Sequence, residues 1–162
     1  MIKAVRALYF TALGLWVGGM ASLAFIVAPT LFRIDRSFAG RAFGEILRTF
    51  GSFQIVLGVL AVAAVAVLLK AGELKTRTGL IRLGVLAVML ILVCTSQFAV
   101  APAIQRERES IPNFESIPSG VPAKARFDSL HRWSVRLAGT TLLLGAGLLA
   151  LSAATSKSSD GA

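Results

Sequence analysis

Hydrophobic positions run without a single charge over four stretches of the chain, residues 7–32, 49–69, 83–105 and 137–156. A helix needs about 20 residues to cross roughly 30 Å of hydrocarbon at 1.5 Å per residue, and each stretch reaches that length. The pattern predicts four membrane spans at about 7–32, 49–69, 83–105 and 137–155, within one membrane domain covering residues 1–155. Lys3 and Arg6 before the first stretch resemble a signal peptide, but signal-peptide cores run only about 7–15 residues. It reads as a retained first span closed by Arg33. The small, polar residues 156–162 form a tail expected to be disordered.

A repeat lies beneath the pattern. The first span ends with Phe25, Val27, Ala28, Pro29 and Arg33, and the third with Phe98, Val100, Ala101, Pro102 and Arg106 in the same order. Apolar letters match by chance, so the scarce prolines carry most of the weight. After the first Ala-Pro exit, Phe38, Ala42, Phe43, Ile46, Leu47 and Phe50 recur at helical spacing, opposite Arg41, Glu45 and Arg48. Before the fourth span Phe127, Leu130 and Leu137 make a weaker stripe, opposite Asp128, Arg132 and Arg136. The expected unit is a span, an Ala-Pro exit, an interfacial amphipathic helix and a return span, used twice. Two such hairpins in tandem are parallel, related by an axis along the membrane normal, so both exits share one side.

The remaining segments are connections. Residues 70–82 read as a short basic turn. Residues 105–123 contain Pro112, Pro118 and Pro122 and repeat Glu-Ser-Ile-Pro at 109–112 and 115–118, which predicts a surface loop. Lys and Arg nearly balance between the two sides, and the dense turn at 70–82 favours termini inside.

Composition supports the same class. Of 162 residues 56% are hydrophobic and 15% charged, with a mean hydropathy of +0.76, which leaves no room for a soluble catalytic domain. The net charge of +9 flanks the spans, which points to anionic lipid headgroups of the bilayer rather than nucleic acid. The single cysteine, Cys94, excludes an internal disulfide and a CxxC site.

Within the spans, Gly14, Gly18 and Ser22 form a ladder of small residues, read first as an intramolecular packing face and second as a homodimer seam. Ala146, Ala150 and Ala154 do similar work in the fourth span. Trp16, in mid-span, is expected to face protein. Pro29 and Pro102 free the carbonyls of Phe25 and Phe98, either to kink the helix or to coordinate a cation. Gln97, with Cys94, Thr95 and Ser96, forms the most polar patch, and Gln54 is its counterpart; an interhelical hydrogen bond is the ordinary reading, a polar path the sharper one. No acid or base falls within the predicted spans, which argues against a coupled pump. His131 is the only histidine and cannot supply paired haem ligands; an interfacial hydrogen-bonding role is expected. No nucleophile–base pair, phosphate loop or metal motif is present, so no enzyme activity, catalytic residue, metal or cofactor is expected.

Trp16, Gly18 and Gly19, then Ala28, Pro29 and Phe32, then Ala39, Gly40 and Gly44, then Phe127, Asp128, Leu130, His131, Arg132 and Ser134 resemble the motifs of the transmembrane protein 205-like family. The resemblance spans about residues 7–152 and implies a four-span membrane domain of uncharacterised function. Ala138 departs from the asparagine expected after Leu137. The first span is also similar to copper-resistance D-type membrane proteins, which carry more histidines.

The expectation is an all-α integral membrane four-helix bundle, multi-pass, in the plasma or inner membrane if bacterial. Its expected function is non-enzymatic helix interaction or lipid contact, with a homo-oligomer as one form. The alternatives are a small-solute or metal-ion transporter, then a haem- or copper-linked protein. The candidate positions are Trp16, Gly18, Gly19, Pro29, Phe32, Gln97, Pro102, Phe127, His131 and Arg132.

Overall fold

The computed structural model describes residues 1–109 and 122–157, and every element among them is helical. Four long apolar helices, at Ile2–Ile34, Arg36–Lys70, Thr76–Glu109 and Pro122–Lys157, make a helical membrane bundle. They run up and down in chain order, and each packs on its two neighbours, the fourth closing the ring against the first.

The amphipathic stretches are not separate interfacial helices. Residues 38–50 continue straight into the second span as one helix of 35 residues, and residues 122–136 continue into the fourth span in the same way. At 1.5 Å per residue the second helix is about 52 Å long, so its amphipathic turns stand beyond the hydrocarbon while remaining helical.

Each described turn has its own local cause. Asp35 is extended, and its carboxylate accepts from the Phe38 amide at 3.2 Å, capping the second helix. Gly72, at φ 73°, ends that helix in a left-handed turn: the Glu73 amide donates to the Leu68 carbonyl at 3.0 Å and the Gly72 amide to Leu69 at 3.1 Å. Lys75 then precedes the third helix, so the basic turn is shorter than 70–82 and Arg82 is helical. Of the predicted loop at 105–123, residues 105–109 extend the third helix and Pro122 opens the fourth. The rest of that loop, with the Glu-Ser-Ile-Pro copies beyond Glu109, and residues 158–162 of the tail lie outside the described residues.

The repeat is written into the core. Tyr9, Leu13 and Trp16 are buried in the first helix, and Arg82, Leu86 and Met89 in the third. Each pair is separated by the same 73 residues that separate Pro29 from Pro102. In the second and fourth helices the step is 87 residues, pairing the buried Gln54, Gly58, Ala61 and Val65 with Thr141, Gly145, Leu148 and Ser152.

The glycines show that the two halves are also related in space. A Cβ on Gly58 would strike Trp16 and Leu90, while one on Gly145 would strike Met89 and Val17. The 73-residue step turns one pair of neighbours into the other. A pseudo-two-fold axis therefore runs along the bundle, and these two glycines let the helices approach closely on either side of it.

Candidate functional site

The first helix divides its small residues between two faces. Gly19 looks inward: a Cβ there would sit 2.5 Å from the Phe50 ring, so only glycine admits the second helix at this distance. Gly14, Gly18 and Ser22 look outward and are exposed, and a Cβ on Gly14 or Gly18 would meet nothing within 4 Å. The ladder therefore does not pack inside the molecule, as first expected. The inward stripe is instead Tyr9, Leu13 and Trp16, whose large side chains fill the axis. Ala146, Ala150 and Ala154 also face outward.

Just beyond the ladder the first helix widens. Residues Leu23–Val27 form a π-turn, and so do Ser96–Val100, 73 residues later. The Ala28 amide donates to the Leu23 carbonyl and the Ala101 amide to Ser96, one residue further back than in an α-helix. Pro29 and Pro102 lack an amide, so a regular helix has no donor for the carbonyl four residues earlier, and the wider turn accommodates the break. Phe25 and Phe98, the equivalent residues in each widened turn, are 73% and 71% exposed. Both bulges thus turn a phenylalanine away from the interior of the bundle.

Interior polar groups occupy separate levels. Near the termini, the Tyr9 and Ser152 hydroxyls share a hydrogen bond of 2.8 Å, and the Arg82 guanidinium lies 5.5 Å over the Tyr9 ring. Arg82 is only 4% exposed and belongs to the third apolar helix, so a basic residue does lie within the bundle. It was missed because it stands next to an uncharged run and reads as the last residue of a basic turn. Outside the barrel of helices, Arg6 pairs with Glu73 at 3.0 Å.

At mid-bundle, Trp16 Nε1 and Gln54 Nε2 are buried with no hydrogen-bond partner among the described residues. Thr141, the repeat equivalent of Gln54, satisfies itself on the Leu137 carbonyl at 2.9 Å. Gln97, within the second π-turn, crosses to the second helix, where Nε2 donates to the Arg48 carbonyl at 2.6 Å. Its amide lies against Gly51, where any side chain would collide with it. That is an interhelical hydrogen bond, the ordinary reading of this patch.

The remaining candidates lie at the opposite end. Phe32 packs edge-to-face on Phe43 at 6.4 Å, and Phe127 stacks parallel on the exposed His131 at 6.2 Å. Arg132 is exposed beside them. The histidine is held by ring stacking rather than by a hydrogen bond among the described residues. No group of three His, Cys, Asp or Glu comes together among those residues.

The ten candidate positions thus separate into a packed core (Trp16, Gly19), an open face (Gly18), two bulges (Pro29, Gln97, Pro102) and one polar end (Phe32, Phe127, His131, Arg132). Among the described residues they do not meet at one place. The open face of the first helix is one feature that folding leaves unused.

No curated protein and no solved structure matches the chain. A family described as Domain of unknown function (DUF4149) matches residues 11–111, from the ladder through both Ala-Pro exits. With more than half its length covered, including three of its four membrane helices, the chain belongs to the DUF4149 family.

Proposed function

We propose that this protein is a non-enzymatic membrane bundle whose first helix receives a transmembrane helix on the face made by Gly14, Gly18 and Ser22. The observation that carries the reading is open space above two glycines on an outward-facing surface of an apolar helix. Lipid chains gain little from a groove of glycines, whereas a second helix gains close backbone contact.

The repeat supplies an internal comparison. The equivalents of Gly14, Gly18 and Ser22 in the third helix are Ala87, Ile91 and Thr95, which are also exposed. The same outward face is filled by Ile91, 63% exposed, in one half and left bare at Gly18 in the other. The resemblance to the transmembrane protein 205-like family supports a membrane location without naming an activity. The basic turn at Lys70, Lys75 and Arg77 supports termini on the inner side of the plasma or inner membrane.

Replacing Gly18 with Ile tests the reading, since the equivalent position already carries that residue. Crosslinking and energy transfer in bilayers are expected to fall for Gly18→Ile, with the thermal midpoint unchanged. Unchanged association across Gly14→Ile and Gly18→Ile would refute it.

The duplicated π-turns favour a second reading, a transporter of small solutes or metal ions that bends at Pro29 and Pro102. It predicts flux into liposomes that Pro29→Ala and Pro102→Ala reduce. Flux equal to that of empty liposomes removes this reading.

A further inference from the structure

Two exposed faces at the end away from the termini, on helices that do not carry the glycine ladder, differ in charge and shape. The 87-residue step between the second and fourth helices sets Glu45 against Arg132, Ile46 against Trp133 and Thr49 against Arg136. All six are exposed. Because the pseudo-two-fold axis runs along the bundle, the two sets stand at one height on opposite sides of the molecule.

They have diverged in complementary directions. On the second helix Glu45, Ile46, Thr49, Phe50 and Phe53 line a shallow and mostly apolar groove of about 560 Å³. On the fourth helix Trp133 is 55% exposed, and the Arg136 guanidinium lies 5.5 Å over its ring. Arg132 adjoins it, and neither arginine has an ion pair among the described residues. One side offers an apolar trough ending in an acid; the other offers an aromatic ring flanked by two bases.

We propose that the groove of one molecule takes Trp133 of a second copy of this chain, whose arginines then meet Glu45. Glu45 already pairs with Arg48 at 2.9 Å, but both side chains are about two-thirds exposed, so the carboxylate is free to exchange partners. The equal height of the two faces lets copies meet side by side in one bilayer without tilting. The contact is heterologous, so every added copy presents the same unused face again, and the assembly closes as a ring or extends as a row. An anionic lipid headgroup would satisfy the arginines but leave the trough and the indole unmatched, which favours the second copy.

The test uses full-length chains in bilayers of phosphatidylcholine with phosphatidylglycerol, in a Cys94→Ser background. One tagged chain carries Thr49→Cys and a second tag marks Thr140→Cys, one helical stretch below Trp133 on the same face. A short thiol crosslinker is expected to give the mixed product in excess of either self-product. Glu45→Arg and Trp133→Ala should each lower the mixed product about tenfold. A chain carrying Arg132→Glu and Arg136→Glu should recover it against a Glu45→Arg partner.

Apart from the half-buried Cys94, common to every chain in the test, the substituted side chains are exposed, and thermal midpoints report whether each variant still folds. Mixed and self-products in equal amounts would overturn the proposal. So would a monomer that loses bound phosphatidylglycerol on Arg132→Gln and Arg136→Gln, since the basic face would then be a lipid site. Gly18→Ile should leave this crosslink intact, which separates its outcome from that of the ladder.

Discussion

At the scale of single residues, the tie between Tyr9 and Ser152 is the most specific interaction inside the bundle, because it joins helices from the two ends of the chain. Removing it by Tyr9→Phe or Ser152→Ala is expected to cost about 1 kcal/mol in each case, the usual scale for an interhelical hydrogen bond in a membrane. The double variant should cost little more than either single one, since both delete the same bond. Reversible unfolding in mixed micelles measures the cycle, and fully additive losses would show that the bond contributes nothing. Trp16 was legible as protein-facing from its place in mid-span. Arg82 was not, because a charge beside an uncharged run looks the same whether it reaches the headgroups or folds back over an aromatic ring. The ladder was misjudged for a similar reason: small residues are equally suited to an inward or an outward face, and only the packed position of Gly19 fixes the rotation of that helix.

At the scale of elements, helix ends are controlled by few residues, and among the described residues Gly72 is the one whose backbone demands glycine. Gly72→Ala forces a side chain into the left-handed region and is expected to cost about 1–2 kcal/mol, read as a lower unfolding midpoint. An unchanged midpoint would mean that the turn relaxes to another form. The sequence shows four apolar runs and two prolines at matching places, and these carried the architecture correctly. It does not show continuity. Between Arg48 and Thr49 the pattern passes from amphipathic to wholly apolar, yet no residue there breaks the helix, so the surface segment and the span remain one rod. The π-turns were hidden as well: proline marks a missing amide, but whether the chain kinks or widens is decided by the neighbours it must still touch.

At the scale of the whole molecule, the duplicated core makes each hairpin a unit. The halves meet through the second and third helices on one side and the first and fourth on the other, and both junctions converge on Trp16 and Met89. Cutting the chain between Gly72 and Glu73 and expressing both pieces together is therefore expected to give a complex that co-purifies in detergent. Failure of the pieces to find each other would mean that the five-residue turn, rather than the core, holds the halves in register. The length of the second helix has one more consequence. A rod of about 52 Å exceeds a hydrocarbon slab of roughly 30 Å, and its uncharged stretch, 49–69, runs right up to Lys70. The surplus is therefore expected on the opposite side, where the fourth helix begins. The molecule is accordingly expected to sit lopsided, nearly flush with the bilayer on one leaflet and crowned with helical stubs on the other. Any soluble protease or antibody fragment should find purchase on that crowned leaflet far more readily than on its smooth counterpart.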